Sequence, residues 1–264
     1  MRRVAIDLFW IYALTSVGIS ISAFFGLYVS PIITILLTII GFAFALIHGA
    51  VTMGWRQILL LVALTFFISL LFESVGVATG LIYGPYHYTD QLGPKFLGLV
   101  PYVISLAWFM MVYPSLMIAL RLVPDKWPPG KRILAVASLG AVIMTAWDLV
   151  MDPFMVKAGH WVWDIRGAYF GIPLQNYFGW WLTTFVTLGL FMMLSKQTLP
   201  LFTRKDWTGF DLLVVYVYAI NGFNSILTDY NLELSGPALV GIFAMLPWIL
   251  LALYSPINFK PSRN

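Results

Sequence analysis

Eight apolar runs, each about 20 residues long, constrain the fold of this chain most strongly. They lie at about residues 5–25, 31–53, 57–79, 99–120, 133–151, 175–195, 208–228 and 237–255. A helical run of this length crosses the ~30 Å hydrocarbon core of a bilayer. The runs are too long to be the ~10-residue strands of a membrane barrel. The sequence therefore predicts an all-α bundle of about eight transmembrane helices, forming a single integral membrane domain over residues 1–264.

The composition supports a membrane protein, since 61% of the residues are hydrophobic and 10% are charged. The net charge of +4 is spread over short loops, so we expect no nucleic-acid partner. The chain contains no cysteine, which excludes thiol chemistry and disulfides. Arg2 and Arg3 precede the first run without a small-residue cleavage site, so we interpret it as a retained span. Membrane lipid is an expected partner, and self-association into a homo-oligomer is left open.

Basic residues in short loops predict the orientation of such a protein. If both termini lie on one side, 12 of the 15 lysines and arginines lie there too. The bias predicts a multi-pass protein of the cell membrane with both termini in the cytoplasm, which requires an even number of spans. The cytoplasmic group is Arg2, Arg3, Arg56, Arg121, Lys126, Lys131, Arg132, Lys196, Arg204, Lys205, Lys260 and Arg263, against Lys95, Lys157 and Arg166 on the outer side.

Polar groups are concentrated in residues 147–181. Asp148 and Asp152 are four residues apart and share one face of a helix, which Pro153 is expected to end. Carboxyl groups at membrane depth are costly and indicate function. Two neighbouring carboxyls resist double ionisation, so the pair suits acid–base chemistry. The alternative is a helix end paired with Lys157 or Arg166.

A second polar stretch, FESVGVATGLIYGPYHY, covers residues 72–88. Glu73 follows the apolar sequence FFISLLF, and a carboxyl in apolar surroundings can hold a proton and deliver it to a substrate. The alternative is an interfacial carboxylate paired with Lys95. His87 and His160 lack the spacing of a metal motif, so no metal is predicted.

Neutral polar and aromatic residues accompany these acids. Asn221, Asn224 and Thr228 share a helical face, which suits either a bound ligand or hydrogen bonds between helices. The aromatic side chains suit either an interfacial belt or a box whose ring faces stabilise a carbocation. This aromatic group comprises Tyr83, Tyr86, Tyr88, Trp161, Trp163, Tyr169, Tyr177, Trp180 and Trp181.

The two stretches resemble the membrane carotenoid 1,2-hydratases of the CruF type, a family that includes bisanhydrobacterioruberin hydratases. The resemblance rests on ESVGVATGLIYGPYHY at 73–88, PYVISLAW at 101–108, WDLVMDP at 147–153 and GHWVWDIRGAYFGIPLQNYFGWW at 159–181. It implies a cofactor-independent hydro-lyase that adds water to the terminal ψ-end double bond of a carotenoid. The substrate would be lycopene-, γ-carotene- or bisanhydrobacterioruberin-like.

The chemistry assigns roles to the polar residues. Glu73 or Asp148 is the expected acid, and Asp152 or Asp148 positions water together with Asn176. The expected substrate-binding residues are Tyr83, Tyr86, His87, Trp147, His160, Trp161, Trp163, Asp164, Gln175, Tyr177, Asn221 and Asn224.

Three other interpretations stay open. A prenyltransferase or cyclase would use aspartates with magnesium to hold a diphosphate. A lipid or small-solute transporter would carry polar positions through both halves of the bundle. A purely structural role would need only the apolar spans.

Overall fold

The computed structural model describes residues 1–27, 32–195 and 207–254. These residues form eight α-helices and confirm the predicted fold class. The helices are α1 (Arg2–Phe24), α2 (Ile32–Met53), α3 (Trp55–Thr79), α4 (Tyr102–Leu122), α5 (Pro129–Lys157), α6 (Leu174–Leu194), α7 (Leu213–Asn231) and α8 (Ser235–Tyr254).

Seven of these helices are long and apolar enough to cross a membrane. The exception is α7, which carries Asn221, Asn224 and Asp229. The chain is therefore a multi-pass membrane protein. The orientation of its termini stays a prediction, and five of the basic residues that favour it lie outside the described residues. These are Lys196, Arg204, Lys205, Lys260 and Arg263.

The centre of the bundle is α4. Every residue from Trp108 to Leu120 is buried, because α4 packs against α2, α3, α5, α7 and α8. A helix that is largely apolar on all sides can be surrounded in this way, because few polar side chains have to be buried. Around this core, α1 packs against α2 and α7, and α6 packs against α3 and α5.

The expectation that Pro153 ends the fifth span is wrong, because α5 continues to Lys157. Proline removes a backbone N–H and leaves the carbonyl four residues earlier, that of Leu149, without its helical donor. The Tyr169 hydroxyl donates a hydrogen bond of 2.8 Å to this carbonyl. The replacement bond compensates for the proline, so Asp148 and Asp152 stay on one continuous helix.

Four short strands were not predicted. They are β1 (Tyr86–Tyr88), β2 (Lys95–Phe96), β3 (Val100–Pro101) and β4 (Trp161–Trp163), and a 3-10 helix covers Asp90–Leu92. Strand β2 pairs with β3, whereas β1 pairs antiparallel with β4 across the chain. We call the β1–β4 pair the ribbon. It joins the loop after α3 to the loop after α5, so both polar stretches meet at the same end of the bundle.

Side chains along the ribbon alternate between its two faces, as the strand period of two requires. Tyr86 and Tyr88 are buried, whereas His87 between them is exposed. On the paired strand, Trp161 is buried and Val162 is exposed. The ribbon therefore turns its tyrosines and Trp161 toward the bundle.

Candidate functional site

A cavity of about 400 Å³ lies beneath the ribbon. Its polar end is lined by Glu73 from α3, Asp152 from α5 and Asn176 from α6. These three side chains are almost completely buried, with exposed fractions of 3%, 1% and 3%. The structure thus brings together three of the four predicted catalytic residues around one space.

Glu73 accepts hydrogen bonds from three buried aromatic side chains. Both oxygens are used, because the hydroxyls of Tyr86 and Tyr88 donate to Oε2 and the indole of Trp108 donates to Oε1. The bond from Tyr88 is 3.0 Å long and the bond from Trp108 is 2.9 Å long. Burial, followed by the Glu73 charge, raises the pKa of both tyrosines well above the ordinary value, so they remain hydroxyl donors.

Asp148 and Asp152 share a single amide donor. The Nδ2 atom of Asn176 donates to Asp148 Oδ2 at 3.0 Å and to Asp152 Oδ2 at 2.8 Å. The Trp161 indole donates to Asp152 Oδ1 at 2.6 Å, whereas Asp148 Oδ1 accepts no hydrogen bond from the described residues. Asp152 lines the cavity, and Asp148 lies outside its lining.

The ribbon connects the two acidic groups. Tyr88, a donor to Glu73, is the register partner of Trp161, the donor to Asp152. Their rings meet edge to face with centroids 5.8 Å apart. One pair of residues in a short sheet therefore positions the surroundings of both acids.

Three tryptophans on different helices line the cavity beside the acids. Trp108 of α4 stacks on Trp180 of α6 with ring centroids 4.1 Å apart. Trp147 of α5 contacts Trp180 edge to face at 6.0 Å. Tryptophan faces attract a cation through their π-electron density. The cluster can therefore stabilise positive charge that develops near Glu73.

An arm of the cavity extends along α1 and α7. The Tyr12 hydroxyl donates to Asn221 Oδ1 at 2.8 Å, and Ser20 Oγ donates to Asn224 Oδ1 at 2.7 Å. Both predicted asparagines line the cavity and also connect α7 to α1. The lining on α1 runs from Tyr12 to Ala23, a length of about 16 Å at the helical rise.

The remaining predicted residues separate into two groups. Tyr83, Tyr86, Trp147, His160, Trp161 and Trp163 line the cavity. Burial lowers the pKa of His160, which favours its neutral ring. Tyr83 contacts Thr183 through hydroxyl groups 2.7 Å apart.

Four of the predicted substrate-binding residues lie outside the cavity lining. His87 and Asp164 form an exposed pair at 3.0 Å. Gln175 is exposed and donates to the carbonyls of Gly80 and Leu81. Tyr177 is buried behind the lining. For His87, the strand alternation accounts for the difference, since its neighbours Tyr86 and Tyr88 occupy the inward positions.

The alternative ion pairs do not occur among the described residues. Lys95 donates to Asp90 and to the Tyr88 carbonyl, not to Glu73. Lys157 donates to the Leu232 carbonyl, not to the aspartate pair. In the same part of the chain, no group of three His, Cys, Asp or Glu side chains converges as a metal site would require.

Two contributors to the site were missed. Trp108 donates to Glu73, and Tyr12 anchors the arm of the cavity. A signal for Trp108 existed in the sequence, because a tryptophan in the interior of a buried span needs a partner for its indole N–H. Tyr12 had no comparable signal, since its partner Asn221 is 209 residues away.

The fold and the site define a class of protein: a multi-pass membrane bundle with buried carboxyl groups in an aromatic cavity. A family model described as carotenoid biosynthesis protein matches residues 32–247. The chain belongs to this family.

A similar protein is the bisanhydrobacterioruberin hydratase of Haloarcula japonica, which is 36% identical over 176 residues. The alignment covers 66% of this chain and 58% of the relative, so the chain spans less than two thirds of the relative's length. No solved structure matches the chain.

Proposed function

We propose that this protein is a carotenoid hydratase that adds water across the terminal 1,2 double bond of a ψ-end group, giving a tertiary alcohol without a cofactor. The observation that carries the proposal is the meeting of Glu73 and Asp152 in one aromatic cavity. Membership of the carotenoid biosynthesis family and the similarity to a hydratase support it.

The cavity suits the end of a long apolar substrate. Its polar end holds the acids, while the arm along α1 offers about 16 Å of helix surface. A carotenoid is about as long as the ~30 Å hydrocarbon core. We infer that one end group lies beneath the ribbon and that the polyene continues along the arm toward lipid.

The proton is proposed to come from the aspartate pair. Asp148 and Asp152 share one amide donor, so a proton between them relieves the repulsion of two buried charges. Because Asp152 is the member that lines the cavity, the proton leaves through Asp152. Its transfer to C2 of the double bond forms a C–H bond and leaves a tertiary cation at C1.

The cation is proposed to be stabilised by Glu73 as a carboxylate. Three donors hold this side chain in place, and a carboxylate accepts all three without a proton of its own. Donors that are fixed before the reaction keep the charge oriented at no cost during the reaction. The faces of Trp108 and Trp180 add to the stabilisation.

Water then captures the cation. Asn176 lines the cavity and contacts both aspartates, so a water molecule beside it lies near Asp152, which is a base once it has given its proton to C2. The water oxygen bonds to C1, and one water proton returns to the aspartate pair. The net result is H on C2, OH on C1 and a regenerated acid.

The test is expression of the full chain in a lycopene-accumulating host. Chromatography and mass spectrometry of the pigments should show products heavier by ~18 mass units, the mass of one added water. A host that expresses the protein in its membrane but contains only unmodified lycopene would contradict the proposal for this substrate. The γ-carotene- and bisanhydrobacterioruberin-accumulating hosts extend the test to the other expected substrates.

The same cultures separate the alternatives. A prenyltransferase would extend the carotenoid by an isoprenoid unit and would depend on magnesium. A cyclase would give a product of unchanged mass with altered retention. A transporter would change where a solute is found without changing any pigment.

A further inference from the structure

A second polar cluster lies behind the cavity wall. Asp229 of α7 is completely buried, and neither of its carboxyl oxygens accepts a hydrogen bond from a side chain or backbone group of the described residues. Its neighbours Ser225 and Thr228 on the same helix line the cavity. The carboxyl group of Asp229 therefore lies next to the cavity lining but outside it.

Two of the further polar atoms that lack a partner within the described part of the chain belong to α5 and α6. They are the hydroxyl of Tyr177, whose residue is 8% exposed, and Oδ1 of Asp148, whose residue is 0% exposed. Asp148 is linked through Oδ2 to Asn176, which lines the cavity. One member of this group, Asp148, is therefore a single hydrogen bond away from Asn176 at the proposed reaction site.

Tyr169 shows that these groups are neighbours. Its ring meets that of Tyr177 edge to face with centroids 5.1 Å apart, and its hydroxyl reaches the Leu149 carbonyl beside Asp148. The pKa of Tyr169 is raised by burial and then by the negative charges of Asp229, Asp148 and Asp152. Tyr169 therefore lies close enough to Asp229 and to Asp148 for the charges of both carboxyl groups to raise its pKa.

Packing between the helices places α7 against this part of α5. Val150 of α5 and Ile226 of α7 both lie over Gly241 of α8, where an added Cβ atom would come within 2.7 Å of Val150 and 3.1 Å of Ile226. Ile226 is three residues before Asp229, and Val150 is two residues after Asp148. The carboxyl groups of Asp229 and Asp148 thus belong to helix segments that pack side by side.

A buried polar atom without a protein partner is costly, unless an ordered water molecule satisfies it. A carboxylate, a phenol and a second carboxyl oxygen together offer the two to four polar partners that such a water requires. An apolar substrate that fills the cavity excludes bulk water from the cation. Each hydration nevertheless consumes one water molecule, so this water must reach the cation by another route.

We propose that Asp229, Tyr177 and Asp148 bind water and supply it to the reaction site through Asn176. The inference rests on the proposed function, because it assigns the source of the reacting water. In this path water binds first at Asp229, and Asp148 passes it to the amide of Asn176. The ligand of this second site is water itself.

The inference predicts a specific failure when the path is removed. Protonation of C2 still forms the cation, but without water the cation loses a proton from a carbon next to C1. The aspartate pair takes that proton, and an alkene forms again. In D₂O the returned alkene carries deuterium at C2 whenever the proton lost is the original hydrogen of C2 or comes from a methyl group on C1, because the proton that was added came from an exchanged carboxyl group.

The experiment uses membranes that contain the full chain, with lycopene as substrate in D₂O. Tyr177→Phe and Asp229→Leu should lower alcohol formation by at least about tenfold, the effect of ~1.4 kcal/mol. The ratio of deuterated, unhydrated carotenoid to alcohol should rise by at least about tenfold relative to the unmodified chain. The matched controls Tyr230→Phe and Asp7→Leu change exposed residues and should behave as the unmodified chain does.

Deuterated alkene also shows that a variant is folded, because its formation needs the intact acid. Loss of alcohol without deuterium in the alkene would overturn the water-supply proposal, and so would an unchanged ratio in both variants. If the unmodified chain forms alcohol but the variants give either of these results, the hydratase proposal is retained and only the water-supply proposal is rejected. If the unmodified chain forms no alcohol from any carotenoid supplied, both proposals are overturned.

Discussion

Glu73 and Asp152 line the same cavity, but Glu73 and the Asp148–Asp152 pair have opposite hydrogen-bonding surroundings. Glu73 receives three donors from three different side chains. The aspartates together receive one shared amide and one indole, and Asp148 Oδ1 has no partner among the described residues. The first arrangement suits one fixed negative charge, and the second suits two carboxyls that hold one proton.

The difference teaches that burial alone does not assign a catalytic role to a carboxyl group. All three acids are at least 97% buried, so their exposure does not separate them. The number of donors separates them, because hydrogen bonds to a carboxylate stabilise its charged form. The comparison therefore supports the proposed roles, charge stabilisation for Glu73 and proton transfer for the aspartates.

The largest effect is expected for Asp152→Asn. Asparagine keeps the shape but cannot donate the proton, so hydration should fall by about 10³-fold, within the range for loss of a general acid. Asp148→Asn should cost clearly less, because Asp152 still lines the cavity and can carry a proton. Pigment yields in lycopene-accumulating cells, normalised to the amount of protein in the membrane, measure both effects.

The reverse order of these losses of hydration would contradict the roles proposed for Glu73 and Asp152. If Asp152→Asn retained activity while Glu73→Gln lost all of it, Glu73 would be the acid, as the sequence also allowed.

A smaller loss, about 10²-fold, is expected for Glu73→Gln. Glutamine removes the charge that stabilises the cation but leaves the proton donor in place. Substrate binding should change little, because the aromatic walls and the arm remain. Single-turnover conversion in membranes with excess protein separates the chemical step from binding. A variant with normal turnover but weak binding would show that Glu73 acts only as a structural anchor.

Tyr169→Phe tests the support of the aspartate helix. It removes the donor to the Leu149 carbonyl and should lower the free energy of unfolding by about 1 kcal/mol. The Pro153→Ala background is the matched control, because alanine restores a backbone N–H to that carbonyl. Thermal unfolding in detergent should show a smaller effect of Tyr169→Phe there than in the unmodified chain. Equal effects in both backgrounds would show that the tyrosine acts elsewhere.

The helices could be predicted from the sequence because each apolar run is as long as a bilayer core is thick. The depth of α4 could not be predicted, since its mean hydropathy of 2.0 lies within the range of the other membrane-spanning helices and only packing decides which helix becomes central. Asp148 and Asp152 were predicted to lie together because their spacing is local. Pro153 misled the prediction of the helix end, because its compensating donor, Tyr169, lies in the following loop.

The residues around Glu73 depend on the ribbon, which a search for long periodic segments misses. Three residues are too few for a strand signal, yet Tyr-His-Tyr at 86–88 and Trp-Val-Trp at 161–163 both alternate. Their pairing joins positions far apart in the chain. For this reason the sequence identified the aromatic residues near the acids but did not separate inward tyrosines from the outward histidine.

The smallest effect is expected for His87→Asn. His87 lies between two inward tyrosines, but its side chain is 58% exposed and contacts only Asp164, itself 52% exposed, among the described hydrogen bonds. Exposed ion pairs contribute about 0–1 kcal/mol to stability. Hydration should therefore stay within about twofold of that of the unmodified chain, and the free energy of unfolding should stay within ~1 kcal/mol. Tyr88→Phe, one residue away, should lower hydration by about tenfold because Glu73 loses a donor. Equal losses at both positions would mean that the ribbon does not alternate toward the cavity, and the contrast between the acids would then lose its structural basis.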